Sequence, residues 1–307
     1  MQVSVVVPVY NSPVLPELAG RIDGVFAARP DDGYELILVD DGSSDPAVWP
    51  TLERLAAERR GVRAFQLTRN FGQQPATLCG LREARGEVVI TLDDDLQHLP
   101  EDIPALLDAH AANGWDIVVG QLVASRHPWP RRLASRIKGY FDHLLLAKPR
   151  HIQLSSFRLL TRTVVDGVLS MRTPHPFLPA MMFHVSRNVG GVPIRHDVRR
   201  EGRSGYSLRK LLRLFSNLVI NNSSLLLRVV GQVGIACSFL SLVGACVVVY
   251  RKLAHDIALQ GWSSLFTALL FLGGLLLFGL GVVGEYLVRI IESSEAKPTY
   301  FVRRKVE

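Results

Sequence analysis

Short runs rich in β-branched residues alternate with helix-like segments from residue 3 to residue 119 of this 307-residue chain. The runs that predict strands are residues 3–7, 35–39, 62–67, 88–92 and 117–119. Helical patterns fill the intervals at residues 15–28, 47–59, 73–84 and 101–112. Strands that alternate with helices in this way are typical of an α/β domain with a mostly parallel sheet. We predict such a domain over residues 1–205.

Polar residues follow each of the first four predicted strands. Ligands of open parallel sheets bind beyond the carboxyl ends of the strands, so these positions are candidates for a binding site. The four motifs are Pro8-Val9-Tyr10-Asn11, Asp40-Asp41-Gly42-Ser43-Ser44-Asp45, Thr68-Arg69-Asn70-Phe71-Gly72 and Asp93-Asp94-Asp95.

The acidic motif Asp93-Asp94-Asp95 gives the strongest chemical signal. Carboxylates two residues apart at a strand end can face one hard cation, and Mg²⁺ or Mn²⁺ prefers oxygen ligands that include substrate phosphates. We predict Asp93 and Asp95 as metal ligands, with the amide oxygen of Gln97 as a third. The alternative is a solvated acidic turn, which three aspartates in isolation would favour. The preceding apolar strand, and the motif's lack of a neutralising base, favour the metal.

Two other motifs have both a binding and a structural interpretation. The carboxylates of Asp40 and Asp41 can bind a base or ribose, although the same motif can also form a turn and a helix N-cap. Asn70, Gly72 and Gln73 precede or begin a predicted helix, where backbone amides favour anions; an ordinary loop and cap is the alternative. Together with the acidic motif, they predict a nucleotide diphosphate held by a metal.

Two long apolar segments, residues 229–250 and 265–288, are each long enough to cross about 30 Å of hydrocarbon. The alternative is a pair of buried core helices, but a soluble domain of this size has too little other sequence to cover them. We therefore predict a two-helix transmembrane hairpin over residues 228–290.

The flanks of the hairpin predict its orientation. Residues 206–227 mix leucines with Arg209, Lys210 and Arg213, which indicates amphipathic helices on a membrane surface. Basic residues also follow the second span, in the tail 291–307. By the positive-inside rule, both ends of the hairpin and the α/β domain lie in the cytoplasm.

The net charge of +7 can indicate nucleic acid, anionic membrane or phosphorylated substrates. Residues 125–162 contain nine Lys or Arg and one acid, Asp142, mixed with aromatic and aliphatic residues. No zinc-finger, RNP or similar motif is visible, so we expect anionic lipid and lipid phosphate as partners and no nucleic acid.

Four motifs resemble the family 2 glycosyltransferases: Val7-Pro8-Val9-Tyr10-Asn11, the segment 39–45, Arg69-Asn70-Phe71-Gly72-Gln73 and the segment 92–101. The DxDLQ form of the last is similar to the polyprenyl-phosphate branch, which includes dolichol-phosphate mannose synthases, bactoprenol glucosyltransferases and undecaprenyl-phosphate aminoarabinose transferases. The resemblance implies a GT-A fold and continues in the segments 129–135, 156–160, 199–207, 284–286 and 297–302.

The resemblance implies a role for each matching residue. The donor nucleotide-sugar would contact Pro8, Tyr10, Asn11, Asp40, Asp41, Asn70, Gly72, Gln73, Asp93 and Asp94. The acceptor phosphate would contact Arg126, Arg131, Ser135, Arg158, Arg199 and Ser204, because the planar guanidinium fork suits phosphate oxygens. The catalytic set would be Asp93, Asp95, Arg131, Arg158 and Arg199.

The chain departs from the family pattern at three places. Ser12 stands where many members have Glu, Gly205 replaces a common Lys or Gln, and residues 153–155 lack an Asp that many members carry near the acceptor. A polyprenyl monophosphate is already ionised near neutral pH, so it needs a catalytic base less than a sugar hydroxyl does. Catalysis then depends on positioning and charge stabilisation.

These observations predict an inverting glycosyltransferase of the bacterial inner membrane. It would move a sugar from a nucleotide donor, for which we expect UDP, onto undecaprenyl phosphate, require Mg²⁺ or Mn²⁺, and assemble as a homo-oligomer. One alternative is a processive polysaccharide synthase, against which stand the lack of a QxxRW-type motif and the small number of spans. The other is a catalytically silent membrane scaffold, against which stands the intact set Asp93, Asp95 and Gln97.

Overall fold

The computed structural model describes residues 1–122, 152–174, 176–194, 230–234, 261–295 and 297–307, with single positions 236, 239, 243 and 250. The chain divides into two units: Met1–Gly205 with Ala296–Glu307, and Tyr206–Glu295. Each unit is described by itself below.

The first unit contains an eight-stranded sheet. Its strands are β1 (Gln2–Val9), β2 (Gly33–Asp40), β3 (Val62–Leu67), β4 (Val88–Thr91), β5 (Ile117–Leu122), β6 (Arg158–Thr161), β7 (Val189–Ile194) and β8 (Val302–Val306). Their order is β7-β5-β6-β4-β1-β2-β3-β8. The pairs β1–β2, β1–β4, β2–β3 and β5–β7 are parallel, whereas β6 and β8 run antiparallel to their neighbours. This confirms the predicted α/β class with a mostly parallel sheet.

Helices cover both faces of this sheet. They are α1 (Leu15–Ala27), α2 (Val48–Glu58), α3 (Gln73–Glu83), α4 (Ile103–Asn113), α5 (Arg162–Ser170) and α6 (Leu178–Val185), with a 3₁₀ turn at Pro100–Asp102. Val5 and Val7 of β1 pack with α1, α2 and α4, while Val6 packs with α3, α5 and α6. Both faces of β1 are therefore buried, which explains why its residues 5–9 are continuously apolar.

Close packing fixes helix α3 against the sheet. A Cβ atom on Gly80 would lie 2.3 Å from Val6 Cγ1, so only glycine permits this approach. The start of α3 is thereby held at the carboxyl ends of β1 and β2.

A buried ionic cluster lies at the opposite end of the central strands. Glu35 accepts hydrogen bonds from Ser4 Oγ (2.6 Å), the Arg85 N–H (2.6 Å) and Arg63 Nη2 (2.7 Å). Burial disfavours the charged carboxylate, but these hydrogen bonds outweigh it and lower the pKa of Glu35. The cluster is structural, because it lies away from the strand ends where ligands bind.

The second unit contains α7 (Trp262–Ser294), a helix of 33 residues. Its segment Phe271–Val288 has a mean hydropathy of 1.9 and is 6% buried. By length and composition alone, α7 can cross a membrane, and it contains the predicted span 265–288. Among the described residues it is the one such helix. The predicted segment 206–227 and more than half of the predicted span 229–250 lie outside the described residues, so the hairpin stays a prediction.

The structure adds elements that the sequence did not predict. Strands β6 and β7 and helices α5 and α6 complete the unit beyond β5. Strand β8 is formed by the tail that we predicted only as a segment after the second span. It lies antiparallel on the edge of β3, with Arg304 opposite Gln66.

Candidate active site

The carboxyl ends of β4, β1, β2 and β3 enclose a cavity of about 360 Å³. Its lining residues are Pro8, Val9, Tyr10, Asp41, Asn70, Gly72, Gln73, Asp93, Asp94 and Asp95. Every one except Val9 belongs to the predicted donor or metal set, so the structure brings the four sequence motifs together. A cavity of this size suits a small ligand or cofactor.

Asp41 holds the loop that connects β3 to α3. Its Oδ1 accepts the N–H of Phe71 and its Oδ2 accepts the N–H of Gly72, both at 2.8 Å. Burial raises the pKa of Asp41 although both hydrogen bonds oppose the rise. The carboxylate therefore acts on the protein backbone as well as lining the cavity.

Asp40 is fully buried and does not line the cavity. Its Oδ1 accepts the N–H of Ser43 at 2.8 Å, and its Oδ2 accepts Gln66 Nε2 at 2.7 Å. The next residue but one, Gly42, has φ +64°, and a Cβ there would lie 2.4 Å from the backbone carbon of Arg69. The β2 turn and the β3 loop are thus packed directly on each other.

The loop after β1 closes a third side of the cavity. Asn11 has φ +53°, which asparagine tolerates better than most residues. Its N–H donates to Ser43 Oγ (2.9 Å), and its Oδ1 accepts the N–H of Asp45 (3.0 Å). Asn11 therefore lies beside the cavity and links two loops. Tyr10, which lines the cavity, is 48% exposed and offers a flat apolar surface.

Ser12 occupies a position where many members of the resembled family have glutamate. Its Oγ donates to the backbone oxygen of Asp94 at 2.8 Å. The Tyr10 N–H also donates to Asp94, to Oδ2 at 3.0 Å. The serine thus ties the β1 loop to the acidic motif.

Asp93 is half-buried, and both of its carboxylate oxygens accept hydrogen bonds from the protein. Gln73 Nε2 donates to its Oδ1 at 2.6 Å, and Ser156 Oγ donates to its Oδ2. Burial raises the pKa of Asp93 despite the hydrogen bond from Ser156. Burial likewise raises the pKa of Asp94, to about 6. A cation in this cavity would favour the ionised form of both carboxyl groups.

The backbone after Asp94 turns sharply. Leu96 has φ +56°, and the Gln97 N–H donates to Asp95 Oδ1 at 3.1 Å. Asp95 lines the cavity, whereas Gln97 does not. The structure therefore places two of the three predicted metal ligands, Asp93 and Asp95, on the cavity.

The donor set for a metal consists of carboxylate oxygens. Among the described residues, no group of three or more His, Cys, Asp or Glu side chains is arranged around one point. Two carboxylates on an open cavity fit a hard cation that completes its shell with phosphate oxygens and water, as Mg²⁺ usually does. Such a cation would also offset the repulsion between Asp93 and Asp95.

Arg158 lies behind the acidic motif and not on the cavity. It is 4% exposed, and its Nε donates to Thr91 Oγ1 at 3.2 Å while its Nη1 lies 3.6 Å from Met182 Sδ. Burial lowers the pKa of Arg158 to about 10, and the charge of Asp93 opposes this shift. The charges of Arg158 and Asp93 therefore influence each other, and a direct contact of Arg158 with an acceptor phosphate stays a prediction.

The other predicted acceptor residues lie outside the described residues. They are Arg126, Arg131, Ser135, Arg199 and Ser204.

Sequence reasoning missed two polar contributors. Ser156 bonds to Asp93, and Gln66 bonds to Asp40. Ser156 directly precedes the Phe-Arg element, so its place in that motif was the available signal. Gln66 is a buried polar residue in a strand whose other residues, apart from Arg63, are apolar, which is a recognisable signal for a buried hydrogen bond.

Comparison with known proteins gives consistent results. Residues 4–169 match the model of glycosyl transferase family 2. The chain is 36% identical over 311 residues to the undecaprenyl-phosphate 4-deoxy-4-formamido-L-arabinose transferase of Pseudomonas aeruginosa (strain LESB58), which covers 99% of this chain and 90% of that protein. The enzyme of the same name from Klebsiella pneumoniae subsp. pneumoniae is 34% identical over 309 residues, covering 99% and 94%.

Solved structures share the fold. Glucosyl-3-phosphoglycerate synthase from Mycobacterium tuberculosis in complex with phosphoglyceric acid has a TM-score of 0.50 and 17% identity, covering 71% of this chain and 78% of that one. Its complex with Mn²⁺, uridine diphosphate and phosphoglyceric acid also has a TM-score of 0.50, with 17% identity and coverage of 71% and 76%. At this identity the likeness concerns the fold alone, and it supports the predicted GT-A type.

Proposed function

The chain belongs to glycosyltransferase family 2, and from this premise we propose that it transfers a sugar from a nucleotide diphosphate to undecaprenyl phosphate. The observation that carries the proposal is the cavity at the strand ends, where Asp93, Asp94 and Asp95 meet the loop held by Asp41. Full-length relatives at 33–36% identity carry undecaprenyl phosphate in their names, which supports the acceptor.

The donor fits the cavity by its chemistry. The exposed ring of Tyr10 offers a stacking surface for a base. Asn70 and Gln73 offer hydrogen-bonding groups near the start of α3, where the helix dipole favours a diphosphate. UDP is the proposed nucleotide, as in the complexes of the structural neighbour.

Asp93 and Asp95 are the proposed ligands of Mg²⁺ or Mn²⁺, with Gln97 as a proposed third ligand. The cation would neutralise the charge that develops on the departing diphosphate. Gln73 and Ser156 orient the Asp93 carboxylate through its two oxygens, so they fix where the cation would be held.

The acceptor explains why an evident catalytic base is dispensable. A lipid phosphate oxygen attacks the anomeric carbon with its own electron pair, and the bond from that carbon to the diphosphate breaks. The nucleoside diphosphate leaves with the bonding electrons, so no proton must be removed from the nucleophile. The anomeric configuration inverts in this single displacement. The basic segment around Arg126 and Arg131, with Arg199, supplies the positive charge for the lipid phosphate.

The proposed location is the bacterial inner membrane. Helix α7 and the predicted span 229–250 form the anchor, and the α/β unit lies on the cytoplasmic side. We also propose a homo-oligomer. The names of the relatives suggest 4-deoxy-4-formamido-L-arabinose as the first sugar to test.

The test uses the full-length chain in lipid nanodiscs with undecaprenyl phosphate, Mg²⁺ or Mn²⁺, and a panel of labelled nucleotide-sugars. The expected product is a chloroform-soluble labelled lipid, which disappears in Asp95→Asn. The matched control is Asp31→Asn, an exposed aspartate outside the cavity, which retains activity. A growing water-soluble polymer would instead identify a processive synthase, and no turnover with any donor would identify a silent scaffold.

A further inference from the structure

The C-terminal strand β8 contacts strand β3 and the start of the loop that follows it, which lines the donor cavity. It pairs antiparallel with β3, and the Thr68 N–H donates to the Phe301 oxygen at 2.9 Å. Thr68 begins the loop to α3 that carries Asn70 and Gly72, two residues of the cavity lining. The tail therefore extends the pairing of β3 to the start of a donor loop.

A chain of hydrogen bonds connects this strand to the β2 turn. Arg304 Nε donates to Gln66 Oε1 at 2.7 Å, and Gln66 Nε2 donates to Asp40 Oδ2 at 2.7 Å. The other oxygen of Asp40 accepts the N–H of Ser43 at 2.8 Å. The Arg304 guanidinium also stacks 4.7 Å from the centre of the Trp49 ring, which holds it in place.

Because arginine can only donate, it fixes the donor-to-acceptor direction of this series of hydrogen bonds. A guanidinium can only donate hydrogen bonds, so Gln66 must turn its oxygen toward Arg304. The amide NH₂ of Gln66 then points at the buried Asp40, which can only accept when ionised. If the amide were reversed, its oxygen would face the Asp40 carboxylate. Arg304 thus sets the orientation of the group that satisfies Asp40.

An aromatic contact between Phe301 and Phe71 also connects the C-terminal tail to the loop after β3. The rings of Phe301 and Phe71 lie 6.3 Å apart, and the Arg69 guanidinium covers Phe71 at 4.0 Å. Phe71 donates its N–H to Asp41. The two contacts of the tail therefore converge on the neighbouring residues Asp40 and Asp41.

We propose that the C-terminal segment 300–306 is a positioning element of the donor cavity, with Arg304 acting through Gln66 on Asp40 and Phe301 acting through Phe71 on Asp41. The proposal rests on the function proposed above, because it assigns this segment a role in binding the nucleotide. Neither Arg304 nor Phe301 lines the cavity, so both act on the donor indirectly.

The experiment measures UDP affinity of the full-length protein by titration calorimetry with Mn²⁺, together with KM for the donor and KM for the lipid. Arg304→Ala is expected to weaken UDP binding and raise the donor KM about three- to tenfold, the effect of one lost hydrogen bond. The lipid KM is expected to stay unchanged. Arg303→Ala is the matched control, because Arg303 is an exposed neighbour on the same strand.

Two further variants test the donor-to-acceptor direction of the hydrogen bonds from Arg304 through Gln66 to Asp40. Arg304→Lys keeps a donor-only group and is expected to restore most of the affinity, whereas Arg304→Glu can only accept and is expected to bind UDP more weakly than Arg304→Ala. A Gln66→Ala, Arg304→Ala double variant is expected to be no worse than Gln66→Ala alone. If Arg304→Ala fails to fold, the comparison of Arg304→Lys with Arg304→Glu still decides.

Two outcomes would overturn the proposal in different ways. Equal UDP affinity in wild type, Arg304→Ala and Arg304→Glu would refute the positioning role and leave the proposed function intact. A wild-type protein that binds none of a panel of nucleotides would refute the proposed function and this inference with it.

Discussion

Replacing Gly42 by alanine is expected to damage the donor cavity specifically. Gly42 has φ +64°, and a Cβ there would lie 2.4 Å from the Arg69 backbone carbon and 2.7 Å from the Asn70 nitrogen. Both contacts are with backbone, so no side chain can rotate away. Restoring ordinary contact requires the β3 loop to move by about 1 Å.

This displacement is large compared with the tolerance of the hydrogen bonds in the loop. The N–H groups of Phe71 and Gly72 lie 2.8 Å from the Asp41 oxygens, and a shift of about 1 Å would break them. Misplacement on this scale can cost about a hundredfold in rate. We therefore expect Gly42→Ala to lower kcat/KM for the donor between about tenfold and a hundredfold.

Gly114→Ala provides a matched control, because Gly114 also has φ +64° but a Cβ there meets nothing within 4 Å. Both variants carry the same backbone strain, roughly 1 kcal/mol, but Gly42→Ala adds the clash and is expected to lose more stability in thermal melts than Gly114→Ala. Steady-state kinetics with varied nucleotide-sugar gives kcat/KM for the donor in both variants. The difference between them is the effect of the steric clash at Gly42, because the backbone strain is common to both. Equal kcat/KM in the two variants would show that the contact between the β2 turn and the β3 loop does not shape the cavity.

Three other perturbations have defined outcomes. Glu35→Gln should lower the free energy of unfolding by about 3 kcal/mol, since it removes the 2.7 Å ion pair of the buried Arg63 and leaves the longer one to Glu83, at 3.9 Å. Because the pKa of Glu35 is lowered in the fold, the wild-type advantage is present above its ordinary value and is lost as pH falls through the folded value; urea unfolding across pH 3–7 would show this, and an advantage that grows in acid would contradict the reasoning. Cys79 should resist alkylation at pH 8 until the protein unfolds, because burial raises the pKa of its thiol to about 12, and mass spectrometry of the Cys79 peptide without denaturant would reveal any early labelling. Arg158→Lys should lower kcat and leave the lipid KM unchanged if the guanidinium acts through its electrostatic interaction with Asp93. A raised lipid KM would instead favour a direct contact with the acceptor phosphate.

The central part of the fold was predictable because its patterns are local. The strands β1 to β4 are apolar runs of the expected length, and polar motifs follow them directly. In a parallel arrangement those motifs must meet at one edge, so most of the cavity lining could be inferred from order along the chain.

Strand β8 could not be predicted in this way. Its five residues, Val302–Val306, include three consecutive basic residues and are mostly exposed. They become a strand because β3 offers an unpaired edge, and β3 lies more than two hundred positions earlier in the chain. Such a strand depends on tertiary context and not on intrinsic preference. The burial of Arg158 could not be predicted from the sequence either, because it depends on contacts with Thr91 and Met182 from distant segments.

Asp40 and Asp41 hold the loops of the site through hydrogen bonds, whereas Asp95 is a proposed ligand of the cation. Asp40 and Asp41 each accept two hydrogen bonds from the protein itself, so their carboxylates are committed to holding the β2 turn and the β3 loop. Asp94 and Asp95 each accept a backbone N–H within the loops around the cavity. An acid whose oxygens hold loops affects chiefly the placement of the donor, whereas an acid that faces a cation affects the charge on the leaving group. Asparagine substitutions should therefore separate the groups, with donor KM changing most at Asp41 and kcat changing most at Asp95.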